Sequence, residues 1–187
     1  MGRLHGAGQP ERRGIAHRPY GEGRTRWRSL SGGRIPLEAS RSHIPASLGA
    51  EPDPDPSARI EATIMVRRRP DSGSSGRLDA ILRGEAPAMS REEAAASLGA
   101  DPEDFDRVMA FAAAEGLSVV ESNLARRSLR VAGTVALLEA AFGTRLRSRE
   151  IDGGVYICYE GALSIPAELD GIVVAVLGLD QRPVARR

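Results

Sequence analysis

The chain has 187 residues, 41% of them hydrophobic, and a formal charge of +1, a length that suits one domain with tails and excludes a large multidomain enzyme. No apolar run approaches the ~20 residues of a membrane-spanning helix, and the opening residues lack the apolar stretch of a secretory signal. The single cysteine, Cys158, and the three histidines His5, His17 and His43, all near the start, exclude internal disulfides, zinc clusters and cysteine–histidine nucleophile pairs; with all 26 basic residues arginine, P-loop and Schiff-base lysines are excluded too.

Charge divides the chain. Residues 1–50 hold nine arginines against three glutamates, and residues 51–187 hold 17 arginines against 22 carboxylates. The first segment is rich in Gly, Pro and Ser with singly scattered apolar residues, which predicts a basic disordered tail. Pro52, Pro54 and Pro56 alternate with acids and predict a stiff linker, so residues 1–58 are expected to lie outside the fold.

The folded part is expected to start with a strand, because Ile60, Ala62, Ile64 and Val66 alternate with Glu61, Thr63, Met65 and Arg67. Arg67–Arg69 and Pro70 lead into a Ser/Gly surface loop, Asp71–Gly76, whose serines have no histidine to activate them. Leu78–Leu82 adds a turn of helix. Ser90 with Glu93 forms a capping box for a short helix ended by Gly99. Asp101-Pro102-Glu103-Asp104 starts the next helix, with Asp101 as cap and the acids facing the positive dipole end. Its buried stripe is Phe105, Val108, Met109 and Ala112. Those acids lack the glycine-bearing loop of a calcium site, so their role is structural.

Leu117–Glu121 and Ser128–Val131 predict a hairpin across Asn123–Arg127, with Arg67–Arg69 and Arg126-Arg127 read as solvated charge. Thr134 caps a helix carrying Val135, Leu138 and Phe142, closed by Gly143. Thr144–Ile151 and Val155–Tyr159 flank the turn residues Asp152-Gly153-Gly154, with Cys158 a small buried or half-buried thiol. Pro166–Leu177 reads as a terminal helix with Leu169, Ile172, Val173 and Val176 on one face. The sum is an α+β class, a ferredoxin-like β-α-β-β-α-β sandwich with an extra hairpin and a C-terminal helix.

That fold hosts RNA modules, regulatory domains and protease pro-segments. The strand Ser128–Gly133 lacks stacking aromatics and the folded part is acidic, which argues against nucleic acid as a partner. No phosphate loop or catalytic carboxylate pair is present, so no enzyme activity, cofactor or metal is expected of this chain.

Ser90-Arg91-Glu92-Glu93, Gly99-Ala100-Asp101-Pro102, Phe111-Ala112 with Glu115-Gly116-Leu117, Glu139-Ala140-Ala141-Phe142-Gly143, Ile165-Pro166-Ala167 and above all Val176–Ala185 carry a resemblance. Over Arg59–Arg187 the chain resembles the pro-region of the sedolisin, or kumamolisin, family of serine-carboxyl peptidases. The resemblance implies a pro-domain of a subtilisin-like peptidase that assists its folding, covers its cleft and is removed autocatalytically in acid. It implies a peptidase catalytic domain as partner, in cis or in trans, and action outside the cell. The family's catalytic and calcium residues lie beyond the positions that match, so none is carried over.

By the same resemblance, residues 59–178 are the activation domain and residues 179–187 a linker toward the cleft. The expected cleft contacts are Leu179, Asp180, Gln181, Arg182, Pro183, Val184, Ala185, Arg186 and Arg187. Acid release is expected from carboxylates that cap or pair when folded, with Asp101, Glu103 and Asp104 the candidates. The alternative function is a free-standing ferredoxin-like binding module or peptidase inhibitor with another partner.

Overall fold

Backbone pairing in the computed structural model, which describes residues 33–45, 48, 52–70 and 74–183, builds a four-stranded antiparallel sheet. Its strands are β2 (Arg59–Val66), β3 (Ser118–Asn123), β4 (Ser128–Thr134) and β8 (Val173–Leu177), in the order β3-β4-β2-β8. Four short helices, α1 (Ser74–Leu82), α2 (Arg91–Leu98), α3 (Pro102–Ala114) and α4 (Val135–Phe142), join the strands, and α3 and α4 pack on the sheet. The path β2-α3-β3-β4-α4-β8 is the ferredoxin-like α+β arrangement.

The core follows from alternation and helical spacing. Ala62, Ile64 and Val66 of β2 and Leu129 and Val131 of β4 turn inward against Phe105, Val108 and Ala112 of α3 and Leu138, Ala141 and Phe142 of α4. The Phe111 and Phe142 rings meet edge to face at 6.1 Å. Helix starts are held as their cap residues require: the hydroxyl of Ser90 accepts from Glu93 N while the Glu93 carboxylate accepts from Ser90 N. Asp101 and Thr134 cap α3 and α4 more simply, their side-chain oxygens accepting from Glu103 N and Leu137 N.

Between α4 and β8 lies an insertion, the hairpin of β5 (Leu146–Ile151) with β6 (Gly154–Tyr159) and then β7 (Gly161–Pro166). Asp152 and Gly153 both hold positive φ, 51° and 77°, the backbone of a two-residue hairpin turn matched to strand twist.

Three expectations are corrected. The expected terminal helix, Pro166–Leu177, is instead a 3-10 turn at Ala167–Leu169 followed by β8. Its inward residues Leu169, Ile172, Val173 and Val176 are buried as expected, but the β-branched run Ile172–Val174 favours extended backbone, and β8 pairs with β2 from Val173 to Leu177. The tail expected over residues 1–58 does not hold for Arg34–Ser42, which forms β1, antiparallel to β7, with Leu37 buried. The rest of that expected tail up to residue 32 lies outside the described residues. The surface loop expected over Asp71–Gly76 falls partly outside them and otherwise begins α1.

The arginines expected to be solvated also do structural work. Arg67 donates to the buried carboxylate of Asp104 at 2.6 Å, and Arg127, at φ 57°, accepts Val66 N on its carbonyl at 2.8 Å. Asp104→Asn is expected to cost about 1–3 kcal/mol, the range for hydrogen bonds to charged groups, since Arg67 would lose its counter-ion. Urea unfolding with an unchanged m-value measures it; a shift under about 0.5 kcal/mol would show the pair to be ornamental.

Candidate functional site

With helices on one face, the sheet's other face is left open. Strand register places Glu121, Arg130, Thr63 and Leu177 in one row across it, with Met65 beside Ala175 and Ser128 in the next. Arg130 lies between Glu121 at 3.1 Å and Glu61 at 3.7 Å. Such exposed pairs stabilise little, which leaves the charges available for exchange with a partner. Leu177 is 54% exposed and Met65 half-buried, so the face mixes apolar and charged groups.

The edge of this face at β8 is closed by β1. A bulge between Leu37 and Arg41 turns Ser40 inward, where its hydroxyl accepts from Val176 N at 2.8 Å and donates to Val176 O at 3.2 Å. One side chain thus satisfies both groups of an edge residue that would otherwise invite another strand. The phenol of Tyr159 donates to Ser40 O at 2.6 Å and fixes the bulge from the other side.

Beyond β8 the chain turns at Gly178 (φ +91°), and Leu179 is buried in the core. Gln181 N donates to Ile157 O at 2.8 Å. Asp180 Oδ2 accepts from the Ser42 hydroxyl at 2.6 Å. Arg182 donates Nε to Asp180 Oδ1 at 2.9 Å and Nη2 to Asp180 Oδ2 at 2.6 Å. Its remaining donors reach Ser42 Oγ at 2.7 Å and His43 O at 2.8 Å. Partial burial pushes the Asp180 carboxyl up, but the hydrogen bonds from Arg182 and Ser42 outweigh it and hold the group below the usual carboxylate range. Hollows of about 340 and 480 Å³ flank this cluster.

The exit segment therefore leaves the domain later than expected. Leu179, Asp180, Gln181 and Arg182, expected in a tail free of the fold, are tied to it by one core side chain and a ring of hydrogen bonds. Pro183 is exposed, and Val184, Ala185, Arg186 and Arg187 lie outside the described residues. The expected acid-sensitive caps sit at the start of α3 and touch none of this cluster: Asp101 accepts from Glu103 N, Glu103 pairs with Arg107 at 2.6 Å, and Asp104 pairs with Arg67.

Sequence reasoning missed other carboxylates. Arg147 holds Asp53 below the usual range through a hydrogen bond at 2.6 Å, with the charges of Arg145 and Arg149 adding to it. Ser57 does the same for Asp55 through its backbone N–H and hydroxyl. Alternation of acids with prolines in the linker was visible, but its docking on the β5 arginines was not.

Little else in the described residues offers chemistry. No three His, Cys, Asp or Glu side chains converge there as a metal-binding group, and no helix is long and apolar enough to cross a membrane. Cys158 is buried, its thiol faces Arg147 O at 3.7 Å, and burial pushes its pKa up, away from nucleophilic use.

Comparison with known proteins agrees with this anatomy. The family model described as pro-kumamolisin, activation domain, matches residues 39–182, a span that opens within β1 and closes on Arg182, the last residue of the exit cluster. Kumamolisin of Bacillus sp. (strain MN-32) is 35% identical over 131 residues, which cover 68% of this chain and 24% of that protein. The chain thus matches about a quarter of the length of this relative. Matched from the closed edge of its sheet to the last anchor of its exit segment, the chain belongs to the pro-kumamolisin activation domain family.

Proposed function

We propose that this domain is the activation pro-domain of a sedolisin-type serine-carboxyl peptidase, without catalytic groups of its own. It acts as a folding chaperone and active-site inhibitor of the catalytic domain, in cis or in trans, and is released by autocatalytic cleavage in acid. The observation that carries this reading is the family match over residues 39–182, which takes in the whole sheet and both of its helices.

The labour is divided between the sheet and the exit segment. The open sheet face, with Leu177, Met65 and the Glu61–Arg130–Glu121 row, provides the docking area; a standard interface needs about 800 Å² from each partner. The residues from Pro183 onward start at a fixed point beside that face and enter the cleft as a slowly cut peptide. Affinity comes from the face and inhibition from the exit segment.

Acid dependence follows with a definite sign. Asp53, Asp55 and Asp180 have carboxyls held below the usual range. Their stabilisation is complete above the unfolded value of about 4 and is lost as pH falls through the lower folded values. The domain and its grip loosen only in clearly acidic solution.

Pre-incubation of the full chain with several mature sedolisin-type peptidases at near-neutral pH, then assay at falling pH, tests the proposal. Tight inhibition that fades below about pH 4 is the expected result. Absence of inhibition at every pH and for every peptidase would overturn it.

A further inference from the structure

We propose that Ser42, Asp180 and Arg182 form an acid-opened latch that clamps the exit segment to the end of β1, so that protonation of one carboxylate frees the chain from Asp180 onward while the sheet stays folded. Its use in releasing a peptidase rests on the reading above; the latch itself does not.

The chemistry of the cluster requires an anion. Both oxygens of Asp180 accept: Oδ2 from Ser42 and Arg182 Nη2, Oδ1 from Arg182 Nε and from Arg182 N at 3.2 Å. A proton on either oxygen removes an acceptor and sets an O–H against groups that are themselves donors. Arg182, half-buried, is then left with neutral acceptors alone, Ser42 Oγ, His43 O and the remaining carbonyl oxygen of Asp180, and its uncompensated cation is better solvated outside.

Every group facing the cluster leaves this logic intact. From β1 and the residues after it come Arg41, which pairs with Glu38 at 2.8 Å, then Ser42, and His43, whose imidazole lies 3.7 Å from Glu160. From β6 come Tyr159, whose phenol is engaged by Ser40 O, and the buried thiol of Cys158. Arg149 of β5 acts on Cys158 from further away. Arg182 is the cation that neutralises Asp180, in contact with both its oxygens. The depressed titration of Asp180 places opening below the ordinary carboxylate value.

The surroundings permit a local opening. The flanking hollows, about 340 and 480 Å³, are both lined by Asp180 and Arg182, so these side chains can depart without repacking the core. Leu179 and the β2–β8 ladder use none of the latch bonds. The bond from Ser42 to Asp180 joins residues 138 positions apart, so opening also unties the end of β1 from the exit segment.

Amide hydrogen exchange of the full chain, followed by mass spectrometry from pH 7 to pH 3 and corrected for intrinsic rates, reads the latch directly. The peptide covering residues 179–183 is expected to lose at least tenfold of its protection in acid before peptides from β2 and β4 lose theirs. Asp180→Asn should show that loss at pH 7, with the core peptides unchanged and the pH dependence of the exit peptide abolished. Arg182→Gln provides the check should the first variant lose core protection, and must likewise open the exit segment at neutral pH. Parent-like protection in both variants, or simultaneous loss of exit and core protection in the parent, would overturn the latch. Neither result touches the inhibition assay, so the two proposals stand or fall separately.

Discussion

Replacing Leu179 by alanine is expected to destabilise the domain by about 2–5 kcal/mol, the range for a fully buried leucine truncated in a packed core. Leu179 is 0% exposed and belongs to the same cluster as Ile64, Val176 and Phe142. The value should sit in the upper part of the range, because Gly178 and Asp180 fix the backbone on either side and limit collapse onto the cavity. A chain ending at Arg182, by contrast, keeps every described anchor and should unfold at the same denaturant midpoint as the parent. It should also inhibit more weakly, since the segment proposed to fill the cleft is gone. Urea unfolding and inhibition of one peptidase, measured on both variants, separate folding from function. A Leu179→Ala cost below about 1 kcal/mol would mean that the segment does leave the domain at Gly178.

This division between Leu179 and Pro183 shows where sequence reasoning stops. The caps Ser90, Asp101 and Thr134 were legible because each acts on an N–H two or three residues ahead. The turn at Asp152-Gly153 was legible for the same reason, since positive φ is a local demand. β8 was misread because its buried residues Val173 and Val176 continue a helical spacing with Leu169 and Ile172 before it, and a bulge opposite Met65 and Val66 disturbs its alternation. β1 was hidden by its own bulge, which puts a serine where an apolar residue would have signalled a strand. Its stability comes from distant partners, among them Ser164, Val176 and Asp180, and no periodicity encodes those.

The candidate site divides in the same way. The family resemblance marked Leu179–Arg182 as meaningful, yet it supplied no partners for them. Only the fold shows that Asp180 and Arg182 face Ser42 and His43. The cap acids drew attention because their chemistry is local, whereas Asp53 acquires its depressed titration from Arg147 through tertiary placement, and Asp180 from Arg182, two residues on, together with the distant Ser42.

Gly143→Ala is expected to cost about 2–5 kcal/mol, in two separable parts. Gly143 ends α4 in the left-handed region, φ 57° and ψ 41°, which costs an L-residue roughly 1–2 kcal/mol. A Cβ there would also lie 2.1 Å from Ser164 Oγ and 3.2 Å from Arg34 Nε. Those atoms form the staple that joins β1, β7 and α4: Arg34 Nε donates to Ser164 Oγ at 3.0 Å, and its Nη2 to Ser164 O at 2.7 Å and to Ala141 O. Moving the serine to admit a methyl group breaks the first of these bonds, and overpacking of this kind adds about 1–3 kcal/mol. Asparagine, which tolerates left-handed backbone, should therefore rescue little, because its Cβ meets the same hydroxyl. Ser164→Ala should instead recover about 1 kcal/mol or more when combined with Gly143→Ala, the coupling expected of two side chains competing for one space. Unfolding curves for the two single variants and the double variant measure that coupling; additive costs would show that backbone strain alone sets the requirement for glycine.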